Sequence, residues 1–226
     1  MKSFTYLLVN LACISIPLFA SFYPKKPFYR EWKSFFKANI LVAIIFLIWD
    51  YWFTEIGVWG FNNDYVTGIY LGVIPLEEIL FFICIPFCCV FSYFAFKFLI
   101  KKNPIEKLQH IISYALIGIL LITAIIYYNR LYTSITFFSA SFYLIYLIIK
   151  KKDLSYHYLS YLFIFPFFIL SNGVLTGSFL VEPIVWYNDL ENLGIRLFNI
   201  PIEDTIYGLL LILMNIEGYE YFKSKA

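Results

Sequence analysis

Two short acidic motifs hold the side chains best suited to chemistry. Pro75 is followed by Leu76, Glu77 and Glu78, and Pro201 by Ile202, Glu203 and Asp204. Carboxylic acids set in an apolar chain are expensive and usually functional. Two of them in one oily cavity leave a neutral acid beside an ionised base, which is the equipment for putting a proton onto a substrate and taking one off. Successive side chains on a helix point about 100° apart, so only one carboxyl of each motif can face a given spot. The expectation is that Glu77 and Glu203 converge and carry the acid–base work, with Glu78 and Asp204 as orienting or exchanging partners.

The motifs are two copies of one element. Gly68 to Glu78 and Gly194 to Asp204 align at an offset of 126, and six of the eleven positions are identical. Trp59 with Asn62 to Asp64 echoes Trp186 with Asn188 and Asp189, one residue out of register. Proline suits the first turn of a helix, and the helix N-terminus favours the negative charge that follows. Each motif therefore reads as a helix start, at the same point of two repeats.

The elements that must position these acids are apolar and long. The chain has 226 residues, 62% hydrophobic and 14% charged, with a mean hydropathy of +0.77. Soluble domains carry about 25% charged residues, so a soluble globule is excluded. A net charge of +2 argues against a nucleic-acid partner. Seven apolar segments run over 4–22, 36–53, 75–97, 108–128, 131–149, 157–175 and 200–217. Each is near the length that crosses ~30 Å of hydrocarbon. They are continuously apolar rather than alternating, which speaks against a β-barrel. The first segment reads as a span rather than a cleaved signal, because its flanking positive charges follow it. The expected fold is all-α and membrane-integral: seven transmembrane helices as two parallel three-helix repeats (1–98 and 131–226) joined by a linking helix (99–130). Fourteen of the 17 Lys and Arg residues lie in the first, third and fifth connections and the C-terminal tail; Lys2, Arg130 and Arg196 do not. The positive-inside rule then puts the N-terminus outside and the C-terminus in the cytoplasm.

Other residues complete the candidate site. Asp50 sits near the outer end of the second span, and its repeat counterpart region is Asn172 to Thr176. Trp49, Asp50, Trp59, Asn172, Thr176, Trp186 and Tyr187 are candidates to face a substrate. Aromatic faces stabilise a cation, and a dry cavity keeps water from quenching it. Acid, aromatic lining and apolar cavity together describe polyene cyclisation. Cys13, Cys84, Cys88 and Cys89 lack metal or redox spacing and read as small core residues. His110 and His157 read as interfacial groups at the cytoplasmic span ends. No G-x-G-x-x-G occurs, so no dinucleotide cofactor is expected, and neither is a metal.

The Ile-Pro-Leu-Glu-Glu motif at 74–78, its second copy at 200–204, the Trp-Gly-Phe loop and the three-plus-one-plus-three helix plan resemble the membrane-integral lycopene cyclase family. The chain resembles the fused, stand-alone form of a heterodimeric type, and differs at Asp204, where the first copy has Glu. The resemblance implies redox-neutral lycopene β-cyclisation. It also implies a linear carotenoid substrate, membrane lipid and other carotenoid-pathway enzymes as partners. A light-driven seven-helix pump is excluded, since 200–217 has no lysine. A prenyltransferase needs aspartate-rich motifs, and Asp64 and Asp189 stand alone. The non-enzyme alternative is a small proton-coupled transporter, which also suits parallel repeats with duplicated acids.

Overall fold

The structure is a computed structural model and describes residues 2–225. Among the described residues, seven α-helices form the bundle: α1 (Thr5–Ala20), α2 (Trp32–Glu55), α3 (Leu76–Leu99), α4 (Gln109–Ile126), α5 (Leu131–Ile149), α6 (Ser155–Leu175) and α7 (Ile202–Lys223). The first six are long and apolar enough to cross a bilayer, which makes this a multi-pass membrane protein. The last is different in kind. It carries Glu203 and Asp204 in its first turn and Glu217, Glu220 and Lys223 near its end, so length and apolarity alone do not mark it as a span. It also runs past the expected end at 217, and α2 begins before the expected 36.

α2, α3 and α7 form the centre, with α1 and α6 on one flank and α5 on the other; α4 packs on the outer face of α5. Within lipid, close packing and interhelical hydrogen bonds drive helix association, not the hydrophobic effect. Here Asn39 on α2 donates to the Asn215 side chain on α7 (3.0 Å) and to the Phe82 carbonyl on α3 (2.9 Å). Around Phe28, an aromatic cluster including Phe35, Phe87, Phe94 and Tyr219 fills the end of the bundle away from the acids. Large side chains such as Ile44, Ile48, Ile119 and Ile122 remain exposed on the outer surface, as a lipid-facing surface requires.

Charge sorts to the two ends. Lys97–Glu220 (2.9 Å), Lys152–Glu217 (2.6 Å) and Lys223–Glu31 (3.1 Å) bring the first, third and fifth connections and the tail to one end. Lys2 pairs with Asp64, and Arg196 with Asp189, at the other. His157 departs from the interfacial expectation. The inward face of α6 buries it to 2% exposure, with Nε2 3.0 Å from Glu217 Oε1 and its ring 5.1 Å from that of Tyr93.

The loops at the acid-bearing end of the bundle hold strands that an all-α reading did not contain: β1 (Trp59–Phe61), β2 (Tyr70–Leu71), β3 (Ile74–Pro75), β4 (Val185–Tyr187), β5 (Arg196–Leu197) and β6 (Ile200–Pro201). β2 pairs with β3, and β5 with β6, as tight antiparallel hairpins directly before α3 and α7. Gly72 takes the left-handed turn in the first (φ 63), and Phe198, its repeat counterpart, takes it in the second (φ 57). A bulky residue there is strained, so the second hairpin holds its shape against a cost the first avoids. Pro75 and Pro201 end these hairpins, one residue ahead of the helix rather than within its first turn. β1 pairs with β4, centred on Gly60 opposite Trp186. Those two residues are themselves 126 apart, so this ribbon lies across the repeat relation and ties the two long loops at this end together.

Candidate active site

Each hairpin delivers two adjacent carboxyls at a helix start, and the helix phase sends them different ways. Glu77 Oε1 accepts the Thr67 amide (2.8 Å), and Glu203 Oε1 accepts the Leu193 amide (2.8 Å). Thr67 and Leu193 are again 126 apart. The Thr133 hydroxyl adds a second bond to Glu203 (2.6 Å), and Asn10 holds the Glu77 carbonyl (2.8 Å). These first acids fasten the loops to the helix starts. The convergence expected of them is replaced by a convergence of their neighbours: Glu78 and Asp204 face the bundle interior, and Asp50 joins them.

The three carboxyls line one cavity of about 600 Å³ whose walls are otherwise almost wholly apolar. All three are buried, Asp50 to 1%, Glu78 to 8% and Asp204 to 5% exposure. Glu78 accepts the Tyr6 hydroxyl. Asp50 Oδ1 accepts the Trp59 indole N–H (2.6 Å), and its Oδ2 is buried without a partner. Asp204 is the best supported. Its Oδ1 accepts the Tyr132 hydroxyl (2.5 Å), and its Oδ2 accepts the Asn172 amide (2.7 Å) and the Tyr187 hydroxyl (2.9 Å). Burial first, and then the charge of Asp204, push the Tyr187 phenol well above its ordinary range, so Tyr187 remains a hydrogen-bond donor at neutral pH.

Aromatic rings surround the acids. Trp59, Tyr132, Tyr187, Phe61, Phe81 and Tyr207 all reach the cavity wall. Trp59 packs edge-on to Tyr132 at 5.0 Å, and Tyr132 stacks on Tyr187 at 5.9 Å. Three other candidates lie elsewhere. Trp49 turns away from the cavity and packs between Phe46 (5.8 Å) and Tyr207 (5.1 Å). Trp186 lies outward over Gly60, which has no Cβ to obstruct it, and is half-exposed. Thr176 is buried and donates to the Asn172 carbonyl (2.9 Å), so it braces the end of α6 behind Asn172.

Tyr6, Tyr132 and Tyr207 were not among the candidates. Tyr6 and Tyr132 occupy the same position of the two repeats, 126 apart, and each donates to the second acid of its own motif. Carrying the offset back into the first helix of each repeat would have found them. Among the described residues, no group of His, Cys, Asp and Glu is arranged to hold a metal ion.

The repeat relation also appears in comparison with known families. The family model described as lycopene cyclase matches residues 3–96 and again residues 129–222, so its two matches stand at the same offset of 126. No curated protein and no solved structure matches the chain. The two matched segments take in every helix except the linking α4, both acidic motifs and all the carboxyls of the cavity: the chain belongs to the lycopene cyclase family.

Proposed function

We propose that the protein is a lycopene β-cyclase that closes the ends of a linear carotenoid by acid–base chemistry in the membrane, as an intramolecular lyase of the isomerase class. The observation that carries this reading is one apolar cavity in which carboxyls from both repeats meet under a cap of aromatic rings. A hydrogen-bond donor aimed at a carboxylate favours its ionised form. Asp204 takes three such donors and Glu78 one. Glu78 is therefore assigned as the acid and Asp204 as the base.

In this mechanism the Glu78 carboxyl delivers its proton to C2 of the open end group. The C1 cation is attacked by the C5=C6 double bond, which forms the C1–C6 bond and moves the charge to C5. Asp204 removes the C6 proton and the β-ring double bond forms. One proton is added and one removed, so substrate and product are isomers and no electrons are exchanged. The rings of Trp59, Tyr132 and Tyr187 stabilise the cation through their π faces. The dry walls keep water from capturing it.

The proposed topology has seven spans, with α7 as the last, the N-terminus outside and the clustered lysines in the cytoplasm. The acids then sit near the outer membrane surface. Expression in a lycopene-accumulating bacterial host, followed by pigment analysis, tests the function. Ring-closed carotenoid is the expected product. Unchanged lycopene with the protein present in the membrane contradicts the reading, and another ring isomer corrects the identity of the proton removed.

A further inference from the structure

The repeat relation makes a demand that the cavity does not meet. Two matching repeats should build two matching cavities, and the acid-lined one is bounded by α1, α3, α6 and α7. Its counterpart should lie among α5, α7, α2 and α3. A shallow apolar groove of about 390 Å³ is found there, lined by α2, α5 and α7. Seven of its nine lining residues are repeat counterparts of residues lining the acid chamber, at offsets of 126 for α1/α5 and α3/α7 and 122 for α2/α6. No carboxyl lines it among the described residues.

Larger side chains account for the difference. Trp49 stands in the groove where the chamber has Ser171, Tyr143 where it has Pro17, and Met214 where it has Cys88. The decisive exchange is Phe82 for Gly208. Phe82 is buried on α3 with its ring 5.9 Å from Phe46. Gly208 is on α7 opposite Phe168, the counterpart of Phe46, and leaves that space open. Phe46, Phe82, Trp49 and Tyr207 thus form an aromatic block between the groove and the acids. The chamber is open where the groove is blocked. α1 packs closely on α3 but barely touches α6. Along that gap the lining residues Ile16 (76%) and Leu170 (63%) are exposed to the lipid side. On α3 the lining runs from Glu78 to Ser92, about 21 Å of helix, which suits an elongated apolar chain lying along the bundle.

We propose that the duplicated chain keeps a single working chamber, entered from the bilayer between α1 and α6. A substrate with two end groups is closed one end at a time, and the monocyclic carotenoid leaves before its other end enters. This rests on the cyclase reading. Filling each space separately, in the full-length protein in membranes given lycopene, tests it. Gly208→Phe copies the first repeat's residue into the chamber; a Cβ there meets only Phe168, at 3.7 Å. Ring formation should fall at least ~100-fold while membrane abundance holds, with Gly208→Ala intermediate. Ser139→Phe, which fills the groove, should leave both rate and product pattern as in the wild type. Isotopically labelled lycopene given with unlabelled monocyclic carotenoid should pass label into the free monocyclic pool before any bicyclic product. Monocyclic arrest by Ser139→Phe or wild-type turnover by Gly208→Phe where the protein is present overturns the single chamber, and labelled bicyclic product that bypasses the pool overturns release between the two closures, each leaving the cyclase reading standing. Absence of any ring from the wild type overturns both.

Discussion

The two repeats share a helix plan and differ in what they bring to their second acid. In the first, Glu78 receives one phenol from Tyr6, and the nearby wall carries a further carboxyl, Asp50. In the second, Asp204 receives Tyr132, Asn172 and Tyr187. Position by position the contrast is small. Tyr6 matches Tyr132, Asp50 matches Asn172, and Phe61 matches Tyr187. Two exchanges therefore convert a wall with one donor into a wall with three. Acid–base cyclisation needs one proton given and one taken at different carbons. Two identical acids would divide those tasks poorly, and under the proposed roles divergence after duplication supplies the difference.

The comparison can be broken at its strongest point first. Asp204→Asn removes the proposed base and should lower ring formation by at least ~100-fold, within the range for loss of a general base. Asp204→Glu, which copies the first repeat, should retain part of the activity. Pigment analysis at matched membrane abundance measures both. Next, Asn172→Asp makes the second wall resemble the first, replacing a donor to Asp204 by another acid. A loss of roughly tenfold or more is expected, because a second acid competes for the proton and a hydrogen bond to a charged group, about 1.5–3 kcal/mol, is removed. Retained activity would show that donor number does not set the roles. Tyr187→Phe, which copies Phe61, removes one of three donors and should cost several-fold in initial rate. Trp186→Phe changes a half-exposed ring outside the cavity and should stay within about twofold.

Much of this architecture was legible in the chain. Apolar runs located the helices, the offset of 126 located the repeats, and Pro-x-Glu located the helix starts. The assignment within each acidic pair was not legible. Glu77 and Glu78 are about 100° apart on their helix, and which faces inward depends on how α3 rotates when its hairpin closes. The backbone amides of Thr67 and Leu193 decide this by capturing the first acid of each pair, and a loop amide has no sequence signature. Tyr6 and Tyr132 were hidden among other aromatics in apolar runs. Trp49 looked like a cation-facing ring, yet it fills the space that Ser171 leaves open in the other repeat. Side-chain volume at paired positions carries that information only once the repeats are superimposed. The place of His157 near a span end suggests an interfacial group, and its burial depends on α6 turning it toward Glu217.

The most direct test sets the two members of one motif against each other. Glu77→Gln and Glu78→Gln are compared in the same lycopene-accumulating host, with pigments and membrane abundance measured together. The account predicts that Glu78→Gln leaves lycopene unchanged at normal protein abundance. Glu77→Gln still forms rings, with reduced stability from its weakened hold on the Thr67 loop. Loss of ring formation in Glu77→Gln with normal turnover in Glu78→Gln would contradict it.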